Sequence, residues 1–246
     1  MNDLLLGIDI GGTGMKAALV DVLTGSLVTE RVRVPTPQPP VPATMAQAVA
    51  GLVESFEYSG PIGIGFPAVV SDGRVFTANN IDESWIGQNA HDIFKEATNR
   101  DVTIINDADA AALAESRFGV AKGVEGLVLI LTFGTGIGSG MLVDGKLIPN
   151  IELGMVELEG HRPAEDFFSA KARESDGLTW EEWGERANRF LIHINRVFAP
   201  TLIVVGGGVA KRWEQFEGCL DAALPIKLAA IRNSSGIVGA ALSSRR

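Results

Sequence analysis

The chain has 246 residues, 46% of them hydrophobic and 21% charged, with a net charge of −9 and a single cysteine, Cys219. That length supports one large domain or two small ones with substantial cores, in an ordinary globular composition. The net charge opposes general nucleic-acid binding, and one cysteine permits neither an intrachain disulfide nor a cysteine metal cage. No uninterrupted apolar stretch is long enough to span a bilayer, and no basic segment precedes an apolar run at the N-terminus. These features predict a cytoplasmic protein with neither nucleic acid nor membrane as partner. Paired cations at Lys171 with Arg173, Lys211 with Arg212, and Lys227 with Arg232 are too sparse to read as a polyanion site.

Leu4–Asp21 reads as an apolar strand, a turn at Gly11, Gly12, Thr13 and Gly14, and a second apolar strand; Asp9 rides on the first strand. The glycines are expected to take positive φ and admit a ligand, with Thr13 and the turn's N–H groups donating to phosphate oxygens. A plain hairpin would look the same. Ser26–Val34 alternates as a third strand, and the proline-rich Pro35–Pro42 is a stiff connection. Met45, Val49, Leu52, Val53 and Phe56 mark one face of a helix. Pro61–Pro67 is a short buried strand, Thr77–Trp85 a polar loop, Gln88–Thr98 a helix and Val102–Ile105 a buried strand ending in Asn106 and Asp107. Asp107 and Asp109 open the alanine-rich helix Ala108–Phe118. An aspartate there caps free N–H groups, for which one of the two suffices, and the C-terminal tip of a buried strand is also where α/β folds present catalytic groups.

Leu127–Asp144 repeats Leu4–Asp21 in register: Leu4, Leu6, Gly11, Leu19, Val20 and Asp21 match Leu127, Leu129, Gly134, Leu142, Val143 and Asp144. A repeat half a chain apart predicts two similar lobes, each offering a phosphate-sized turn to a shared cleft. The second turn is Thr132–Gly136, including Gly134 and Thr135. Glu152–Glu157, His161 and Glu165 form a carboxylate-rich stretch, but without a second well-spaced histidine no metal cage is expected. Thr179 and Glu182 form a capping-box pattern for a long helix. Leu202–Val205 is a buried strand leading into a third glycine turn, Gly206, Gly207 and Gly208. Ser235–Leu242 is a small-residue helix, and Cys219 reads as a small buried hydrophobe.

The segments DIGGTGMK (Asp9–Lys16), NDADAA (Asn106–Ala111), LTFGTGIGSG (Leu131–Gly140), ELG (Glu152–Gly154) and VVGGGV (Val204–Val209) resemble the ROK sugar kinases of the actin-like ATPase superfamily. With PTPQP, NNIDESW, DGKLIPNIELG and RNSSGIVGAA, the resemblance narrows to the actinobacterial polyphosphate glucokinases. It implies an α/β protein of the actin-like ATPase (ribonuclease H-like) fold. Two similar lobes, residues 1–118 and 119–246, would close around a cleft, with the last helix packing back on the first lobe and the whole working as a homodimer. It implies transfer of a phosphoryl group from polyphosphate or ATP to the 6-hydroxyl of glucose or a related hexose, with Mg²⁺.

By the same resemblance Asp107 is the general base, and Asn80, Asp82, Asn106, Glu152 and Glu165 bind sugar. Gly11, Gly12, Thr13, Gly14, Lys16, Thr132, Gly134, Thr135 and Gly136 hold donor phosphates, while Asp9 meets Mg²⁺ through water. An adenine pocket would lie near Gly206, Gly207 and Gly208. One position departs from the pattern: Met155 stands where the family has a histidine after Glu-Leu-Gly. A thioether donates nothing to a sugar hydroxyl, so a catalytically weak sugar-binding paralogue stays open as the alternative. His161 could replace that histidine only if the chain folds back.

Overall fold

The computed structural model describes residues 3–245. The chain divides into two units: one runs to Ala114 and takes back Ser234 onward, and the other is Glu115–Asn233.

In the first unit β1 (Leu4–Ile10) and β2 (Gly14–Asp21) pair antiparallel from Leu4 with Asp21 to Ile10 with Met15. The predicted third strand is two short ones, β3 (Ser26–Leu27) and β4 (Val32–Pro35), both on β2. The Leu19 N–H is accepted by the Thr29 hydroxyl at 3.1 Å rather than by a backbone carbonyl, which interrupts the ladder between them. Helix α1 (Pro42–Glu54) opens on a proline, whose missing N–H costs nothing in a first turn. It buries Met45, Val49, Leu52 and Val53. Every residue of β5 (Ile62–Phe66) is buried, as expected of a central parallel strand covered on both faces. A small hairpin of β6 (Val70–Ser71) and β7 (Arg74–Val75) follows. Helix α2 (Ala90–Thr98), strand β8 (Val102–Asn106) and helix α3 (Asp107–Phe118) come next. The sheet order is β3-β2-β1-β5-β8, with β5 parallel to both neighbours.

The second unit repeats this path. Strands β9 (Leu127–Phe133) and β10 (Ile137–Val143) form the hairpin, and β11 (Lys146–Ile148) extends it. Short helices α4 (Glu165–Phe168) and α5 (Ala170–Ser175) precede α6 (Trp180–Phe198). The predicted capping box closes the start of α6 with Thr179 and Glu182 bonded reciprocally. Its buried face, Trp183, Ala187, Phe190, Leu191 and Ile194, packs with Phe133, Phe168 and Phe216 in one core. Strands β12 (Leu202–Gly207) and β13 (Ile226–Leu228) complete the sheet order β11-β10-β9-β12-β13, strand for strand that of the first unit.

Helix α7 (Ser235–Ser243) belongs to the first unit and lies on β1, β5 and β8. Its approach is backbone to backbone. A Cβ on Gly7 would run into the Ile237 carbonyl, one on Gly63 into the Ala240 carbonyl, and one on Gly239 into the Ala110 carbonyl of α3. Small residues at these places are therefore a packing requirement.

Candidate active site

The first glycine turn closes with the Gly11 N–H donating to the Gly14 carbonyl at 3.1 Å, and the Thr36 hydroxyl donates to the Gly11 carbonyl at 2.5 Å. Among the described residues the next N–H groups, of Gly12 and Thr13, take no partner. The second turn is built alike. The Gly134 N–H donates to the Gly136 carbonyl at 3.0 Å, and among the described residues the N–H groups of Thr135 and Gly136 take no partner. Adjacent unsatisfied N–H groups make an anion-binding concavity.

The expected positive φ is not found: none of Gly11, Gly12, Gly14, Gly134 and Gly136 has a left-handed backbone. What these glycines supply is room. A Cβ on Gly134 meets nothing within 4 Å, one on Gly12 meets only the Asn80 carbonyl at 3.8 Å, and one on Gly136 would strike the Glu165 carboxylate.

Asp9 and Lys16 are cross-strand partners on β1 and β2, and their side chains pair at 3.1 Å. The Asp9 carboxylate also lies against Gly236 in the first turn of α7, 2.7 Å from where a Cβ would stand. A carboxylate there suits the positive end of the helix dipole.

At the end of β8 the cap of α3 is Asn106, not an aspartate. Its Oδ1 accepts the N–H groups of Ala108 at 2.9 Å and Asp109 at 3.1 Å, and its Nδ2 donates to the Ala68 carbonyl at 3.1 Å. That relieves Asp107 of the main capping duty. Asp107 accepts the Ala108 N–H at 2.9 Å, and its Cα lies 3.7 Å from where a Cβ on Gly65 would stand, so glycine in β5 keeps space beside it. Asp109 is buried, 1% exposed. Asp82 is occupied locally: its carboxylate accepts the Ser84 N–H at 2.9 Å and caps a short 3-10 turn, Glu83–Trp85. The hydrogen bond with the Ser84 side chain, then that with its N–H, holds the Asp82 carboxyl below the usual range. The turn is anchored by buried Trp85, whose indole donates to the Pro40 carbonyl at 3.0 Å.

In the second unit Glu165 is a strut. Its Oε2 accepts the Ile137 N–H at 2.8 Å, directly after the glycine turn. The same oxygen lies 3.0 Å from where a Cβ on Gly154 would stand, which joins the turn to the Glu-Leu-Gly segment. Glu152 is held from both sides by buried Ser139, whose hydroxyl donates to the Ile151 carbonyl at 3.0 Å and accepts the Leu153 N–H at 2.7 Å. Met155 ends that segment, 39% exposed. The chain does fold back at Leu158–His161, with N–H to carbonyl bonds of 3.1 and 2.9 Å in both directions. The His161 ring, however, is stacked on Phe167 with centroids 3.8 Å apart. Gly206 and Gly207 are the end of β12, paired with Thr132 and Phe133, rather than a turn. Gly207 (φ 80°) presses onto the Phe133 backbone, and Gly208 opens a 3-10 run, Gly208–Gln215.

A model of the ROK family matches residues 5–170. The chain is 44% identical over 239 residues to a polyphosphate glucokinase of Mycobacterium tuberculosis, covering 97% of this chain and 90% of that one. It belongs to the ROK family. Among solved structures, an inorganic polyphosphate/ATP-glucomannokinase from Arthrobacter sp. strain KM matches this ROK chain with a TM-score of 0.95, 46% identity and 98% coverage of both chains. A ROK family glucokinase from Streptomyces griseus, in complex with glucose and AMPPNP, has the same fold at a TM-score of 0.83 and 24% identity. The fold of this ROK protein is that of the actin-like ATPases.

Three features of this ROK chain were not foreseen in its sequence. Ser139 had a signal: strand alternation puts it on the same face as buried Ile137, and an inward serine must find partners. Glu115 is 1% exposed and ties two loops, accepting the N–H groups of Val120 at 3.0 Å and Ile231 at 2.8 Å. Nothing in the alanine-rich pattern around it announces that. Cys219 is only half-buried, beside Gly184 of α6. Burial first, and Glu185 and Glu181 after it, push its thiol pKa up, which makes it a poor nucleophile at neutral pH.

Proposed function

We propose that the protein is a sugar kinase that transfers a phosphoryl group from polyphosphate or ATP to the 6-hydroxyl of glucose. The observation that carries this reading is the pair of glycine turns, each closed by its own hydrogen bond and each leaving two adjacent N–H groups for phosphoryl oxygens. The similarity to polyphosphate glucokinases over nearly the whole chain supports the substrate pair.

A sugar hydroxyl is not ionised at neutral pH, so a carboxylate must take its proton as the bond to phosphorus forms. Asp107 does this, in a contribution of roughly a hundred- to ten-thousand-fold. With one N–H of its amide spent on Ala68, Asn106 keeps the other for a neighbouring hydroxyl. Asn80, Asp82, Glu152 and Glu165 are the remaining sugar contacts. Glu152 and Glu165 suit a polyol because each carboxylate accepts more than one hydroxyl. Asp82 and Glu165 contribute through the oxygen their structural bonds leave over.

Most of the remaining acceleration comes from positioning and from neutralising charge on the transferred group. The first turn with Lys16, and the second turn with Thr132, do this through backbone and side-chain donors. Mg²⁺ is held by few carboxylates and by substrate phosphates rather than by a dedicated cage. The ion would be carried in on the donor phosphates and met through water by Asp9. Bound there, it would neutralise phosphoryl charge. If ATP is a donor, Gly206, Gly207 and Gly208 border its base.

The test is glucose 6-phosphate formation by purified protein with Mg²⁺, polyphosphate or ATP, and Asp107→Asn as control. Turnover that survives the substitution removes Asp107 as base; no product from either donor at high glucose removes the kinase reading. A cytoplasmic homodimer belongs to the same proposal by resemblance, and light scattering at working concentration decides the dimer.

A further inference from the structure

We infer that Arg33 binds a phosphoryl group of the donor at the first glycine turn; this deepens the donor reading above and rests on it. Across β1, β2 and β4 the register sets Asp9 opposite Lys16 and Lys16 opposite Arg33, one row of side chains on one face of the sheet. Asp9 and Lys16 satisfy each other at 3.1 Å. Arg33 has no such partner: among the described residues its guanidinium takes no hydrogen bond or ion pair. It lies instead against Gly14, with Nε and Nη2 each 2.8 Å from where a Cβ would stand. The open N–H groups of Gly12 and Thr13 are in that same turn.

Two cations directly opposite on neighbouring strands repel, and one carboxylate balances only one of them. In a chain of net charge −9, an unpaired arginine kept beside another cation and two open N–H groups marks a place for an anion. The fork of a guanidinium matches two oxygens of one phosphoryl group, which an ammonium cannot do. Glycine at position 14 is then a requirement of this contact, since any side chain would push the guanidinium off the turn. The ligand class is a condensed phosphate, either inorganic polyphosphate or the triphosphate of a nucleotide, and the two are compared directly.

The experiment takes wild type, Arg33→Gln and Arg33→Lys. It measures tripolyphosphate binding by calorimetry without sugar, and steady-state kinetics with each donor. For Arg33→Gln the expected result is about 10- to 100-fold weaker tripolyphosphate binding and a matching rise in KM for both donors. The KM for glucose and the melting temperature stay unchanged, and the salt dependence of donor KM becomes shallower. Arg33→Lys recovers part of the affinity. A rise confined to polyphosphate also supports the contact and assigns it to that donor alone. Binding and donor KM equal to wild type, or a shift shared equally by glucose KM and melting temperature, overturn it. Weaker tripolyphosphate binding in Arg33→Gln, in a protein that phosphorylates no sugar, would keep this inference and reject the kinase reading.

Discussion

Replacing Ser139 by alanine tests whether the sugar loop is held as described. Ser139 is 1% exposed and its hydroxyl makes two bonds, 3.0 Å to the Ile151 carbonyl and 2.7 Å from the Leu153 N–H, so alanine strands both backbone groups around Glu152. A buried donor or acceptor left unpaired costs about 1–3 kcal/mol. Leu153 is buried and Ile151 only half-buried, so the Leu153 N–H dominates and the total should fall near about 2 kcal/mol. Confined to the unit Glu115–Asn233, that lowers its melting temperature by roughly 8 °C. Whatever part of the loss appears as looseness at Glu152 appears also in sugar binding, about tenfold for each 1.4 kcal/mol. Differential scanning calorimetry and steady-state kinetics read both. Glucose KM should rise with donor KM unmoved. A variant that melts as wild type does and keeps its glucose KM would refute the bracket, and a rise in donor KM alone would put Ser139 at the wrong substrate.

Gly63→Ala drives a Cβ into the Ala240 carbonyl, so β5 and α7 must part; overpacking of this kind costs about 1–3 kcal/mol or more, and a melting temperature equal to wild type would show that α7 is not seated there. Met155→His restores a donor beside the Glu-Leu-Gly segment and should lower glucose KM by about fivefold, one uncharged hydrogen bond; an unchanged KM would mean that position 155 does not reach the sugar. The Glu182 carboxyl is held below the usual range by the Thr179 N–H first and the Thr179 side chain second. Its stabilisation of α6 is therefore whole at neutral pH and lost as pH falls from about 4.3 through the lowered native value. Glu182→Gln should remove that part of the acid dependence; acid unfolding profiles of the same slope would count against it.

Much of the hairpin architecture was legible because it rests on local pattern. The Leu4–Asp21 and Leu127–Asp144 repeat returned as the antiparallel hairpins β1–β2 and β9–β10, their pairing offset by one residue (Leu4 with Asp21, Leu127 with Val143), at equivalent places in two sheets of the same strand order. The Thr179 and Glu182 spacing returned as a closed capping box. Local pattern failed where a distant group decided the outcome. The Thr29 hydroxyl split the predicted third strand, Asn106 took the cap assigned to aspartate, and Gly206 and Gly207 extended β12 instead of turning. Positive φ at the phosphate turns was inferred from glycine's freedom, whereas the glycines are there for room.

By itself the sequence determined the strand and helix periods, the duplication, and the residue types available for phosphate and sugar, since backbone sterics and side-chain period are properties of neighbours in the chain. Tertiary structure alone decided which groups meet. Arg33 lies on Gly14 because β4 pairs with β2, Glu165 braces the second turn from 28 residues away, and Asp9 rests on the start of a helix near the C-terminus. Charge pairing and close backbone approach act across space, and no spacing along the chain encodes them.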